Sequence, residues 1–305
     1  MMRPLTLSEL CQPLEARLVG ASCSFDKVST DSRAMSAGSL FVALQGESFD
    51  GHDFLAQAAK AGACAALVSR EQDGALPQLV VEDTQRALGR LGAYNRSLFQ
   101  GPLVAITGSS GKTTVKNMAS AVLAQCGNTM ATEGNYNNEI GVPLTLLRLA
   151  PEFEFAVVEM GAAAPGDIAW LCELGRPSVS VLLNAMPAHL EGFGSVADVA
   201  RAKGEIFDGL GAGDVAVINA DQSWAPEWRA RAGDARILDF SIQGEAAISL
   251  LDSRSLGIEG SEFRARTPLG ELQVRLTLPG EHNVVNALAA AAIGLACELS
   301  LEQIR

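Results

Sequence analysis

The stretch Leu103-Val104-Ala105-Ile106-Thr107-Gly108-Ser109-Ser110-Gly111-Lys112-Thr113-Thr114 decides how this chain folds. An unbroken apolar run followed by a glycine-serine turn and a helical pattern reads as a strand buried on both faces that feeds a helix. That is the unit of a parallel sheet. Backbone N–H groups of such a turn, together with the N-terminus of the next helix, form a cradle for phosphates. Lys112 supplies a cation for β/γ oxygens, and the Thr113 hydroxyl is a ligand for Mg²⁺. Gly108, Ser109, Ser110, Gly111, Lys112, Thr113 and Thr114 are therefore the candidate nucleotide-binding residues. A general phosphate-binding loop has glycine where this chain has Ile106, so G-x-x-G-K-T-T is a narrower pattern. The alternative is an ordinary Gly-Ser turn before a helix.

Towards the C-terminus the same strand–turn–helix pattern recurs at Phe155–Met160, Val179–Asn184 and Val215–Asn219. These runs predict a mostly parallel sheet covered on both faces by helices. After Ala235 the pattern changes to alternating strands with glycine turns at Gly257, Gly260 and Gly270, which predicts antiparallel strands added to that sheet. Pro279-Gly280 then opens a last helix from about Asn283.

Towards the N-terminus lie short apolar runs at Leu40–Leu44, Ala65–Val68 and Leu79–Val81, with a helical pattern from Asp53 to Ala61. They predict a separate small α/β domain. Thr84 is a candidate cap for a helix running to about Phe99, and Gly101-Pro102 breaks the chain before the decisive strand. The domain boundary is accordingly expected near Asp83, giving an N-terminal domain over 1–82 and a central domain over 83–305.

With 305 residues, 48% of them hydrophobic and 19% charged, the chain is long enough for two cores. A formal charge of −12 argues against a nucleic-acid or anionic-membrane partner, which would need clustered Lys and Arg. Six cysteines without a C-x-x-C pair fit a reducing cytoplasm. The opening residues lack a signal peptide's apolar core, and Val284–Cys297, interrupted by Asn286, reads as a buried helix and not a membrane span.

A phosphate-binding loop of this kind needs a second metal ligand at the end of a neighbouring strand, and Glu159 stands there. A helix cap or a solvated rim is the alternative for it. His189 follows another predicted strand, and ligands collect at the carboxyl ends of strands in open α/β sheets; its alternative is a surface loop position. Asn135, Asn137 and Asn138 suit orientation of a carboxylate or phosphate by hydrogen bonds, or else form a polar turn. Lys203, from its own neighbours, reads first as a solvated helix face beside Glu205. Thr30, Asp31, Ser32 and Arg33 read as a capped turn or surface ion pair.

The order G-S-S-G-K-T-T, then Glu133-Gly134-Asn135-Tyr136-Asn137-Asn138-Glu139-Ile140-Gly141-Val142-Pro143, then Glu159-Met160-Gly161, His189, Ala202-Lys203-Gly204-Glu205 and Gly280-Glu281-His282-Asn283 resembles the Mur ligases over almost the whole chain. Within that family, E-G-N-Y-N-N-E-I-G-V-P followed by E-M-G-A is similar to the branch that adds D-alanyl-D-alanine to a UDP-linked muramoyl tripeptide. Thr30, Asp31, Ser32, Arg33, Gly46, Asp50 and His52 are similar to its UDP-binding domain.

The resemblance implies an ATP- and Mg²⁺-dependent cytoplasmic, monomeric ligase that works through an acyl phosphate. By that resemblance Thr113 and Glu159 hold one Mg²⁺ and Lys112 stabilises the transferring phosphoryl group. His189 helps with a second metal, Lys203 carries a carbamate, and Asn283 meets adenine, with helix capping as its other role. The resemblance also implies a further C-terminal domain that closes over ATP. The chain ends at Arg305 without a segment for it, so residues 1–305 are expected to fold but not to ligate alone. Two other readings stay open: another amide ligase of the superfamily, adding a diamino acid or a glutamate tail, and a regulatory phosphate-loop NTPase. No N-K-x-D guanine-reading motif favours the latter.

Overall fold

A computed structural model describes residues 2–46, 48–187 and 193–305; His189 lies outside them. The chain divides into two compact units, Met1–Gln100 with Glu139–Pro151, and Gly101–Asn138 with Glu152–Arg305.

In the first unit the strands are β1 (Leu5–Thr6), β2 (Arg17–Val19), β3 (Ser24–Phe25), β4 (Val28–Ser29), β5 (Leu40–Val42), β6 (Ala65–Val68) and β7 (Gln78–Val80). Five of them form a sheet in the order β2-β7-β6-β5-β4, antiparallel at β2–β7 and parallel elsewhere. The helical pattern after Asp53 is a 3-10 turn, Gly51–Phe54, running into a helix, Leu55–Lys60.

The helix Thr84–Ser97 belongs to this unit, so the division falls after Gln100 and not near Asp83. The reason is its apolar face: Ala87, Leu88 and Leu91 are buried with Leu40, Val42, Leu67 and Leu79 in one core. Its cap is also not Thr84. The Asp83 carboxylate accepts from the N–H groups of Gln85 and Arg86, while the Thr84 hydroxyl donates to the Ala43 carbonyl. A carboxylate is the stronger acceptor for orphan N–H groups, and threonine's hydroxyl is then free for a buried partner. The short helix Gly141–Leu146 joins the same core, held by the buried Asn95 amide, which donates to the Leu146 and Leu149 carbonyls.

The second unit is built on β8 (Leu103–Thr107), β9 (Thr129–Ala131), β10 (Phe155–Glu159), β11 (Val179–Leu182), β12 (Val215–Asn219), β13 (Arg236–Ser241), β14 (Ile248–Ser255), β15 (Ser261–Thr267) and β16 (Gly270–Leu276). Their order is β16-β15-β14-β13-β12-β11-β8-β10-β9. Pairs from β9 to β14 are parallel, and only β14–β15 and β15–β16 are antiparallel. The fold is thus the expected α/β sheet with antiparallel strands added, but those strands begin later than the sequence suggests. The helix Ala225–Arg231 carries the chain across from β12, so β13 runs parallel to it, and Ile248-Ser249 opens β14 alongside Phe240-Ser241.

Strand β8 is buried along its length because both faces are covered. Val104 and Ile106 share a core with Val157, Val181 and Val217 and with two helices, Lys112–Leu123 and Glu281–Ala296. The second of these is rich in alanine, which forms helix at the lowest cost and lets it lie close against its neighbours. No helix among the described residues is long and apolar enough to cross a membrane. The chain order reverses at β8: β10 lies on one side and β11 on the other. Such a reversal opens a crevice at the carboxyl ends of the strands.

Candidate active site

The phosphate-loop residues lie in that crevice. Gly111 precedes the helix Lys112–Leu123 with φ 83°, a left-handed conformation that favours glycine. A Cβ added there would stand 2.7 Å from Asn286 Oδ1. Gly111→Ala is therefore expected to destabilise the unit by about 1–2 kcal/mol from backbone strain alone. Urea unfolding together with nucleotide titration would check this; an unchanged midpoint and affinity would count against it.

The loop is fixed from β11. Asn184 Oδ1 accepts from the Ser110 N–H at 3.0 Å, Asn184 Nδ2 donates to the Ser110 carbonyl, and the Ser109 N–H donates to the Asn184 carbonyl. Ser109 Oγ donates to the Met186 carbonyl at 3.1 Å. Lys112 Nζ reaches back 2.8 Å to the Gly108 carbonyl, which holds its charge over the loop. Burial lowers its pKa, and the nearby Glu159 carboxylate opposes that shift.

Glu159, buried at the end of β10, is the junction of the site. Its Oε2 accepts from Thr113 Oγ1 at 3.0 Å and its Oε1 from Asn137 Nδ2 at 2.8 Å. Its backbone N–H donates to Thr132 Oγ1, and the Thr132 carbonyl accepts from Lys116 Nζ at 2.7 Å. Gly161 leaves room for the Asn137 side chain, which would lie 3.0 Å from an added Cβ, and donates its N–H to the Asn137 carbonyl. So Thr113, Glu159 and Asn137 are brought together. Asn135 enters only through its carbonyl, which accepts from the Asn137 N–H, and Asn138 is no part of the Glu159 carboxylate's shell.

Lys203 is not a solvated face. It is 3% exposed, and burial first, then the Lys112 ammonium, bring its pKa down to about 8. Asn283 lies in the first turn of the last helix, with Nδ2 donating to the Pro279 carbonyl and Oδ1 accepting from Asn286. It does not cap that helix, whose N-cap is Gly280.

Residues 106–294 match the Mur ligase middle domain, and residues 24–95 match the Mur ligase family catalytic domain. The chain belongs to the Mur ligase family. It is an ATP-dependent ligase. One relative, the UDP-N-acetylmuramoyl-tripeptide–D-alanyl-D-alanine ligase of Escherichia coli (strain K12), is 48% identical over the whole chain, which spans 67% of that relative's length. The structure is similar to that of MurF from Acinetobacter baumannii, with a TM-score of 0.95 at 38% identity, covering 99% of this chain and 67% of that one. It is also similar to the MurF ligase of Thermotoga maritima in complex with ADP, with a TM-score of 0.80 at 30% identity over 90% of this chain and 64% of that one.

In this Mur ligase the first unit holds its own polar cluster. Asp50 accepts from the His52 N–H, from His52 Nδ1 at 2.5 Å and from Arg70 Nη2 at 2.7 Å. The Arg70 guanidinium, then the His52 contacts, hold its carboxyl well below the usual range. Nε2 of the buried His52 accepts from the Ser69 N–H at 2.9 Å, which fixes the ring. Gly46 lies under the exposed Phe49 ring, which an added Cβ would meet at 2.7 Å. Asp31 and Arg33 close on each other in an exposed ion pair that lowers Asp31 to about 2, while Ser32 is buried and Thr30 partly so.

Sequence reasoning did not identify Asn184, Thr132 and Lys116 as parts of the site. Asn184 carried a signal, as a polar residue ending an apolar strand. Thr132 and Lys116 act through backbone atoms of residues distant in sequence, which leaves no local pattern to find.

Proposed function

We propose that this Mur ligase joins D-alanyl-D-alanine to a UDP-N-acetylmuramoyl tripeptide at the expense of ATP. The observation that carries the reading is the double hold on Glu159. Thr113 comes from the phosphate loop, and Asn137 comes from the E-G-N-Y-N-N segment that resembles the D-alanyl-D-alanine-adding branch. One carboxylate thus couples the nucleotide's end of the site to the segment expected to orient the acceptor. The identity to the Escherichia coli ligase supports the same substrates.

In the first step an oxygen of the tripeptide's terminal carboxylate attacks the γ-phosphorus, the bond to the β-phosphate oxygen breaks, and ADP leaves with that electron pair. The amine of D-alanyl-D-alanine then adds to the acyl carbon of the acyl phosphate. The C–O bond to phosphate breaks, and the nitrogen gives up a proton. Both steps concentrate negative charge, which the Lys112 ammonium stabilises from its place over the loop. The loop N–H groups and Thr114 at the helix start bind phosphate oxygens. Asn137 orients the carboxylate, Asn135 and Asn138 are assigned to the same task by resemblance, and Asn283 meets the adenine.

The donors present fit Mg²⁺. A hydroxyl and a carboxylate, on Thr113 and Glu159, meet 3.0 Å apart, both are hard oxygen ligands, and Mg²⁺ prefers one or two carboxylates plus phosphates and waters. Bound there, the ion would neutralise phosphate charge. His189 is assigned to a second ion by resemblance.

Lys203 is the carbamate residue. Burial leaves a substantial share of its amine neutral near pH 8, and a neutral amine is what attacks CO₂. Nitrogen bonds to carbon, a C–O π pair becomes the carboxylate, and a proton leaves to solvent. A buried cation so becomes an anionic ligand. In the first unit, Thr30 to Arg33, Gly46, Asp50 and His52 hold the UDP end of the substrate, so that binding energy distant from the reaction orients the carboxylate.

Phosphate release in the presence of ATP and Mg²⁺, measured on a protein that carries this chain at the length of its relatives, tests the reading. It should need both the UDP-linked tripeptide and D-alanyl-D-alanine, with the pentapeptide product seen by mass spectrometry. Release with nucleotide alone, or a product with a single diamino acid in place of the dipeptide, would sink it.

A further inference from the structure

We propose that Glu205 is a positioning residue that sets Lys203 against the Glu159 end of the site. The proposal rests on the reading of Lys203 as the carbamate residue and adds a residue to it. Glu205 is buried two residues beyond Lys203, at the start of the 3-10 turn Glu205–Phe207 that follows the helix Val196–Gly204. Its carboxylate points at a different element. Oε1 accepts from the Gly166 N–H at 2.9 Å, and Oε2 accepts from the N–H groups of Gly166 at 3.1 Å and Ala169 at 3.1 Å.

Those donors open the helix Asp167–Gly175, which has no side-chain cap of its own. Its first acidic residue, Asp167, is turned back onto the Ala163 and Ala164 N–H groups. Glu205 therefore supplies from a distance of 36 residues or more the acceptor that an N-cap would supply locally. The chain between Glu159 and this helix is only Met160 to Gly166, so the pinned Gly166 N–H ends the segment that leaves Glu159, and the pinned Ala169 N–H lies in the first turn of the helix that segment enters.

The rest of the Lys203 segment is held from another side. Trp228 Nε1 donates to the Ala200 carbonyl at 3.1 Å, Arg231 Nη1 to the Arg201 carbonyl at 2.6 Å, and Arg231 pairs with Asp208. Gly204 permits that approach, since an added Cβ would stand 3.2 Å from Trp228 Cδ1. None of these clasps reaches the segment after Glu159. Glu205 does, and two residues of chain span at most about 7 Å, so a shift at its carboxylate is passed directly to the Lys203 Cα.

The test reads the lysine adduct itself. In ¹³C-bicarbonate the wild-type protein should give a carbamate ¹³C resonance that Lys203→Ala abolishes. Glu205→Ala is expected to lower that signal about tenfold and to lower kcat by a similar factor, with KM for ATP little changed. Glu205→Gln keeps an acceptor oxygen for the same N–H groups and should restore most of both. A role confined to helix stability would move the unfolding midpoint without moving the adduct or splitting kcat from KM. An alanine variant with wild-type adduct and kcat overturns the proposal, as does a glutamine variant as damaged as the alanine one. Where the alanine variant does not fold, Glu205→Asp decides: one methylene shorter, it should lower the adduct severalfold, and an unchanged adduct overturns the idea. A wild-type protein with no resonance removes the reading of Lys203 itself, an outcome distinct from the others.

Discussion

In a protein that carries this chain at the length of its relatives, Lys112→Ala is expected to lower ATP-dependent ligation by on the order of a thousandfold, about 4 kcal/mol of transition-state stabilisation, while the fold survives. Among the described residues the ammonium's hydrogen-bond partner is a backbone carbonyl of its own loop, at Gly108, and that carbonyl remains beside the crevice when the side chain is cut back. Burial already lowers the pKa of Lys112, so keeping a cation there costs the folded protein something. Such a charge is retained for what it does to phosphates. Circular dichroism and urea unfolding should be close to wild type, and phosphate release should collapse. A folded alanine variant with near-normal turnover would remove the phosphate loop from the mechanism.

Lys203→Ala is expected to be the other severe variant, with a loss on the order of a hundredfold or more, as for removal of a metal-site group. What sets it apart is rescue. Formate or acetate can enter the space left by the side chain and supply the missing carboxylate, so a partial, concentration-dependent recovery is expected. Lys112→Ala should show no such recovery, because it lacks a cation and not an anion. An ordinary lysine would be about 0.3% neutral at pH 8, whereas one shifted to about 8 is about half neutral. That difference of on the order of a hundredfold makes Lys203 the amine suited to CO₂. Full activity of Lys203→Ala without added acid would refute its role.

The central strands β8, β10, β11 and β12 were legible because burial on both faces writes an unbroken apolar run into the sequence. The three-residue edge strand β9 was not, having too few residues to carry a pattern. Nor was the direction of β13 and β14, since alternation of buried and exposed residues is the same in parallel and antiparallel strands. Within the candidate site, the phosphate loop and Glu159 could be found because each combines a residue type with a place at a strand end. Asn137 stands out in the sequence as an uncharged side chain within the Glu133–Pro143 motif, but its bond to Glu159 needed the fold. Thr132, Lys116 and Glu205 spend their polar atoms on backbone groups 16 to 39 residues away, and nothing in their neighbours announces those partners.

The segment Glu139–Pro151 packs with the first hundred residues although the strand, loop and helix of the phosphate site come between them. During synthesis the first unit therefore emerges without its last piece. Asn95 waits for the carbonyls of Leu146 and Leu149, and the apolar face of Leu88 and Leu91 waits for Leu147, until some fifty further residues have been made. Over that interval the ribosome holds out a half-finished core together with the first strands of the second, the circumstance in which exposed apolar surface invites misassembly. The two units are thus interleaved in time as well as in sequence, and neither can be released from the growing chain as a finished domain before the other has begun.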